Sequence, residues 1–109
     1  IMELKNDYNN PVIYLTENGC SYPDKIENGK INDKKRIEFY KKYLAAVKKS
    51  IDEGADVRGY MTWTLMDNFE WALGFEKRFG LIHVDFETLK RTPKESYYFY
   101  RDLINNNGF

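Results

Sequence analysis

Between Asp33 and Gly54 the chain carries one long amphipathic pattern, and a short apolar, β-branched run lies on either side of it. Ile37, Tyr40, Leu44, Val47 and Ile51 step by three and four, the spacing of one buried helix face. The lysines between Lys34 and Lys49 fall mostly on the other side and read as its wet face. Asp33 is placed to cap the helix, because its carboxylate can accept from the free N–H groups of the first turn. Gly54 stands where a left-handed C-terminal residue is wanted. Pro11–Thr16 follows a turn-like Asn9-Asn10 and reads as a buried strand. Val57–Trp63 reads as a second. Strand, long helix and strand in this order form a parallel, right-handed βαβ unit.

The remaining segments extend that unit. Ile1 to Tyr8 has a mixed pattern that assigns no element. Asn18 to Asn32 carries Gly19, Pro23, Asp24, Asn28 and Gly29, and reads as a loop. Thr64 to Arg91 is long enough to suggest a functional or a disordered segment, within which Phe79–Asp85 has room for a short strand. Thr92, Pro93 and Glu95 have the pattern of a capping box opening a final helix, with Tyr97, Tyr100 and Ile104 on one face. The order is β-α-β-α, an α/β class, with no repeat beyond this pairing. The 109 residues suffice for one small core, whereas a complete (β/α)8 barrel takes at least about 200. Two parallel strands have open edges and little cover. The expectation is that residues 1–109 form one piece of a larger single domain.

Composition excludes several function classes. Lysine plus arginine number 17 and aspartate plus glutamate 17, so no basic excess points to nucleic acid. No apolar run approaches the roughly 20 residues of a membrane span. No basic segment followed by an apolar stretch marks a secretory signal. Cys20, the only cysteine, closes no intrachain disulfide, which fits a reducing compartment and makes a cytoplasmic location the expectation. His83 is the only histidine, and no Cys/His cluster suggests a metal. Nine Tyr, seven Phe and two Trp make the aromatic content high; a core can absorb many of these, and sugar sites also use aromatic faces, on which the C–H-rich face of a pyranose packs.

Glu17 falls just past the last apolar residue of the first strand. Barrels of the (β/α) type place catalysis there, and a carboxylate so held can attack an anomeric carbon. On position alone, an ordinary loop-entry acid explains Glu17 as well. Cys20 with His83 as base is a competing nucleophile pair, with no local signature behind it. His83 itself reads more simply as a strand residue satisfied by hydrogen bonds. Arg78 is placed either to orient the long loop by salt bridges or to lie in solvent.

The neighbours of Glu17 separate these readings. Leu15-Thr-Glu-Asn-Gly19 resembles the Ile/Val-Thr-Glu-Asn-Gly motif of glycoside hydrolase family 1, the β-glucosidase family. Thr62-Trp-Thr-Leu-Met-Asp-Asn-Phe-Glu-Trp71 is similar to that family's second signature, and Arg78-Phe-Gly-Leu-Ile-His-Val-Asp85 to its Arg-Phe-Gly-Leu-x-x-Val-Asp segment. The Pro93-Lys-Glu-Ser96 region fits as well. Together these motifs run in the family's order over nearly the whole chain, far more specific than a lone short motif.

The resemblance implies the C-terminal part of a (β/α)8 TIM barrel, about its seventh and eighth βα units. It implies a retaining β-glycosidase, a β-glucosidase acting on β-glucosides or cello-oligosaccharides, with no metal or organic cofactor. Glu17 would be the nucleophile and Trp63 a platform for the sugar. Glu70 would accept from the hydroxyls at C4 and C6, Trp71 would donate its indole N–H, and Phe79 would line the same pocket. A carboxylate has two acceptor oxygens for two adjacent hydroxyls, and it would repel a phosphate at C6, which favours unphosphorylated sugars. Core packing is the competing explanation for the two tryptophans, though a charge between Phe69 and Trp71 is poor core design.

A retaining glycosidase needs a second carboxyl about 5–5.5 Å from the nucleophile. The family supplies it from an Asn-Glu-Pro motif, and no such tripeptide occurs here. The expectations are that this chain alone is inactive and that its partner is the remaining, N-terminal barrel portion. A non-catalytic sugar-binding or interaction protein on the same fold is the rival from another class.

Overall fold

The computed structural model describes residues 1–108. A short helix α1 (Met2–Asp7) precedes strand β1 (Ile13–Asn18), and a small hairpin follows, β2 (Ile26–Glu27) and β3 (Lys30–Ile31). The long helix α2 (Lys34–Asp52) leads to β4 (Val57–Thr62). After a single 3-10 turn at Trp71–Leu73 come β5 (Ile82–Val84), β6 (Arg91–Pro93) and the closing helix α3 (Glu95–Asn106).

β1 and β4 pair in parallel through the α2 crossover, as the sequence pattern requires. Tyr14 pairs with Gly59, where a Cβ would come 2.6 Å from the Tyr14 ring, so glycine is what lets the ring lie there. The two strands are not buried, contrary to expectation. Half-buried Ile13 and Leu15 alternate with exposed Tyr14 and Thr16, because helices cover only one face of a two-stranded sheet. No closed barrel exists among the described residues; they form a slab of 49 × 33 × 18 Å.

Helix α2 runs from the residue after Asp33 to two residues before Gly54, whose φ of +90° is the left-handed conformation expected of it. Its buried face is turned from the expected one. Tyr40 and Val47 are buried, but with Arg36 and Ser50 beside them; Ile37 and Leu44 are half-buried and Ile51 is exposed. The lysines of the wet face are all exposed. The buried Tyr40 ring packs against Tyr100 of α3, and its hydroxyl accepts a hydrogen bond from Thr62 at the end of β4. These contacts fix both helices to the sheet.

Both expected helix caps are made differently. The Asp33 carboxylate makes no capping bond to the backbone of its own helix, where it pairs only with the Arg36 side chain; it accepts from Ser96 N at 2.9 Å and Ser96 Oγ at 2.5 Å, and so caps α3 instead. Thr92 and Pro93 do not open α3. They lie in β6, where Thr92 pairs with His83 of the short strand expected near Phe79–Asp85. Helix α3 starts only after Lys94, whose side chain is drawn inward to two buried carboxylates.

Candidate active site

Glu17 is the penultimate residue of β1, facing solvent. The ladder there is irregular: Leu15 pairs with Tyr60 and Asn18 with Thr62, so β1 spends one residue more than β4 over this stretch. An extra residue of this kind re-aims the side chains next to it. Below it, Tyr60 donates to Asn18 Oδ1 at 2.6 Å, and Trp63 N donates to Asn18 O at 2.9 Å. Gly19 follows, where a Cβ would fall 1.7 Å from the Trp63 carbonyl oxygen. Only a residue without a side chain allows the ends of the two strands to meet so closely.

The second arm of the site is the segment after β4. Trp63 follows the strand and is joined to Thr64 by a cis peptide bond. Leu81 N donates to Thr64 O and Asp67 N to Ile82 O, so the outgoing and returning limbs of the loop are tied together. Between these ties, Glu70 N donates to Gly74 O at 2.7 Å and closes the small turn that carries Trp71. Trp63 Nε1 donates to Glu70 Oε2 at 3.4 Å.

Glu17, Trp63, Glu70, Trp71 and Phe79 all line one cleft of about 440 Å³, together with Asn18 and Gly19. The five candidate residues come from two segments and converge at the C-terminal ends of the paired strands. Trp71 is 82% exposed, so it is no part of the core that these residues form. Trp63 is half-buried, its ring edge committed to Glu70. This wall of the cleft has two carboxylates and no cationic side chain.

The competing nucleophile does not fit. Burial pushes the Cys20 thiol up to about 11, which keeps it protonated and unreactive at neutral pH. His83 is in a strand, as expected, but it is not satisfied: its Nδ1 is buried without a hydrogen-bond partner. Burial, and then the Arg78 charge, hold its pKa below the usual value. Arg78 does orient the long loop, through Asp67 Oδ2 at 2.8 Å and Val84 O at 2.9 Å.

Sequence reasoning missed a buried ionic network that joins the two loops carrying the cleft. Arg36, fully buried, donates to both Asp24 oxygens, to Asp33, and to the carbonyls of Arg78 and Cys20. Burial lowers its pKa, but the bonds to Asp24 and Asp33 outweigh that and leave it raised. Lys94, also fully buried, reaches Asp24 Oδ2 at 2.6 Å and Asp67 Oδ1 at 2.9 Å. Asp67 further accepts from Gly80 N at 2.9 Å. Three carboxylates thus face three cations. One signal was available: Arg36 lies four residues before Tyr40, on the same buried face.

The model of the family described as glycosyl hydrolase family 1 matches residues 1–109. Beta-glucosidase A of Acetivibrio thermocellus is 48% identical over the whole of this chain, which spans 25% of that protein. A 6-phospho-beta-galactosidase of Streptococcus equi subsp. zooepidemicus is 49% identical over 94% of the chain and 22% of its own length. Among solved structures, the family 1 β-glucosidase of Thermotoga maritima superimposes with a TM-score of 0.97 at 42% identity, covering 99% of this chain and 25% of that one. The chain therefore spans about a quarter of the length of the relatives it matches.

Proposed function

The chain belongs to glycosyl hydrolase family 1, and on that premise we propose that it is the nucleophile-bearing part of a retaining β-glucosidase. The observation that carries this proposal is the convergence of Glu17, Trp63, Glu70, Trp71 and Phe79 on one cleft. The chemistry runs in two steps. The Glu17 carboxylate attacks the anomeric carbon, and the leaving oxygen departs with a proton from a second carboxyl group. That group, now a base, takes a proton from water, and the water displaces Glu17 to release the sugar with its configuration retained.

The substrate is a terminal, non-reducing β-D-glucosyl residue of a β-glucoside or cello-oligosaccharide. Glu70 accepts from the hydroxyls at C4 and C6, Trp71 donates to a ring hydroxyl, and Trp63 and Phe79 form apolar walls. One relative is a 6-phospho-β-galactosidase, but this wall of the cleft pairs two carboxylates with no lysine or arginine. A phosphate dianion at C6 would be repelled by Glu70 and would find no cationic partner on this wall, which supports an unphosphorylated glycone. The acid/base carboxyl comes from a portion of the barrel outside this chain, so the isolated chain turns over no substrate at an enzymatic rate.

The test is trapping with an activated 2-deoxy-2-fluoro-β-glucoside, followed by peptide mass mapping. The activated leaving group needs little help from an acid, and the fluorine slows breakdown of the intermediate. A glucosyl ester on Glu17 of the full-length protein is the expected product. Sugar binding by a folded full-length protein that forms no ester, and whose E17Q variant behaves identically, would sink the catalytic proposal in favour of a sugar-binding protein. Enzymatic turnover by the purified 109-residue chain would sink the assignment of the acid/base to another portion.

A further inference from the structure

Two loops carry the cleft, and two buried cations, Arg36 and Lys94, are each bonded to both. The loop after β1, which continues from Glu17, carries Asp24. The loop after β4, which carries Glu70, Trp71 and Phe79, carries Asp67 as well. The Lys94 ammonium lies between these carboxylates, 2.6 Å from Asp24 Oδ2 and 2.9 Å from Asp67 Oδ1, with no exposure to solvent. Lys94 precedes α3 and is far from both loops in sequence, 70 residues from Asp24 and 27 from Asp67.

The connections from these carboxylates to the cleft are short. Asp67 precedes Glu70 by three residues, and its Oδ1 accepts from Gly80 N, the amide next after Phe79. The same carboxylate thus gathers both limbs that carry the sugar-contacting side chains. On the other loop, Ser21 Oγ accepts from Arg78 N at 3.1 Å, and Arg36 joins the Cys20 and Arg78 carbonyls to Asp24. Each loop is held by its own carboxylate, and Lys94 is the ion that couples the two carboxylates directly.

We propose that Lys94 is a positioning residue, which sets the nucleophile Glu17 against the hydroxyl-binding Glu70 by bridging Asp24 and Asp67. This rests on the roles given to Glu17 and Glu70 under the proposed function. A buried ammonium with two close carboxylates has a single low-energy place. A shift of either loop would pull one carboxylate away from it, in a medium where an unpaired charge is strongly disfavoured. A sugar clasped by Glu70 is thereby presented to Glu17 in one geometry, and displacement of that geometry by about 1 Å lowers the rate on the order of 100-fold.

The experiment uses the full-length protein and its Lys94→Met variant, which keeps the aliphatic stem and removes the charge. Competent sites are first counted with the 2-deoxy-2-fluoro-β-glucoside. Then kcat/KM per competent site is measured for an aryl β-glucoside and for its 4,6-dideoxy analogue, which lacks both hydroxyls assigned to Glu70. The expected result is a loss on the order of 100-fold for the glucoside and a much smaller loss for the analogue, because the analogue never takes its position from Glu70. Equal losses on the two substrates would overturn the proposal, as would unchanged per-site constants with fewer competent sites, the mark of a merely structural role. If K94M yields no competent sites, K94R enters the same comparison, since its charge remains while its planar fork cannot reproduce the single ammonium position; the same two patterns then decide. Absence of labelling on Glu17 in the unsubstituted protein overturns the catalytic assignment itself and this proposal with it, whereas labelling with equal losses overturns only the role of Lys94.

Discussion

Replacing Arg36 with methionine should destabilise the protein by about 4 kcal/mol. The side chain is fully buried and its five hydrogen bonds end on two carboxylates and two carbonyls. Removing one partner of a buried ion pair costs about 3–5 kcal/mol, because the other charge is left stranded. Two features pull the value down: Asp24 keeps Lys94, and Asp33 keeps both bonds from Ser96. One pulls it up: the Arg78 carbonyl loses its donor at 2.8 Å, a loss of about 1–3 kcal/mol for a buried acceptor. Methionine fills the space of the arginine stem, so little of the effect is a cavity.

The same reasoning fixes the sign of a second substitution. In R36M two cations face three carboxylates; in R36M/D33N the charges balance again. An amide at position 33 still accepts from Ser96 N and can donate to Ser96 Oγ. The double variant should therefore recover about 2 kcal/mol of the loss, an interaction energy of the size found between direct neighbours. Urea denaturation of the four proteins of this cycle, followed by tryptophan fluorescence, measures it. A double variant that unfolds at the same urea concentration as R36M, or at a lower one, would refute the argument that stranded charge is the cause and leave lost packing in its place.

Trp71→Ala should leave the unfolding midpoint nearly unchanged, within about 0.5 kcal/mol, as for surface positions generally, because the ring is 82% exposed. Its affinity for a gluco-configured iminosugar, measured by titration calorimetry on the full-length protein, should fall about tenfold, the worth of one hydrogen bond; equal effects on stability and affinity would contradict a binding role. His83, held below its usual pKa by burial and then by Arg78, binds fewer protons folded than unfolded. Its contribution to stability is thus complete above about pH 6.5 and is lost as pH falls towards the folded pKa. The melting temperature should decline between about pH 7 and pH 5, and more shallowly in His83→Gln; parallel profiles for the two proteins would remove His83 as the cause.

The elements legible in the sequence are those whose signal is local. Helix α2 ends where Asp33 and Gly54 indicate, and β1 and β4 lie close to the apolar runs that mark them. The β2–β3 hairpin also had its signal, the Asn28-Gly29 pair with φ of +51° and +74°, the sequence preferred in two-residue hairpin turns. Read as a loop marker, it concealed two strands of two residues each. Thr92 misled for a different reason. The capping pattern is present, but pairing with His83 in β5 and the pull of buried carboxylates on Lys94 outweigh a cap worth about 1 kcal/mol.

The site divides along the same line. Glu17, Trp63, Glu70, Trp71 and Phe79 were legible because each lies in a contiguous motif, and a motif survives without knowledge of the fold. Arg36 and Asp24 lie in no such motif, and the ionic roles of Asp67 and Lys94, which do, were not legible either, because the property that matters in all four is burial, and a charge is buried only with its partner. Arg36 in a lysine-rich helix and Lys94 beside Glu95 look like solvated surface to any local pattern. Arg36 has one local partner, Asp33, but its other carboxylate lies 12 residues away, and those of Lys94 lie 70 and 27 residues away. Only the parallel pairing of β1 with β4 brings the two loops together, and only then does a lysine between Asp24 and Asp67 become a stable interior residue. The same non-local step turns five scattered motif residues into one cleft, so the ionic network and the cleft are two consequences of a single strand pairing.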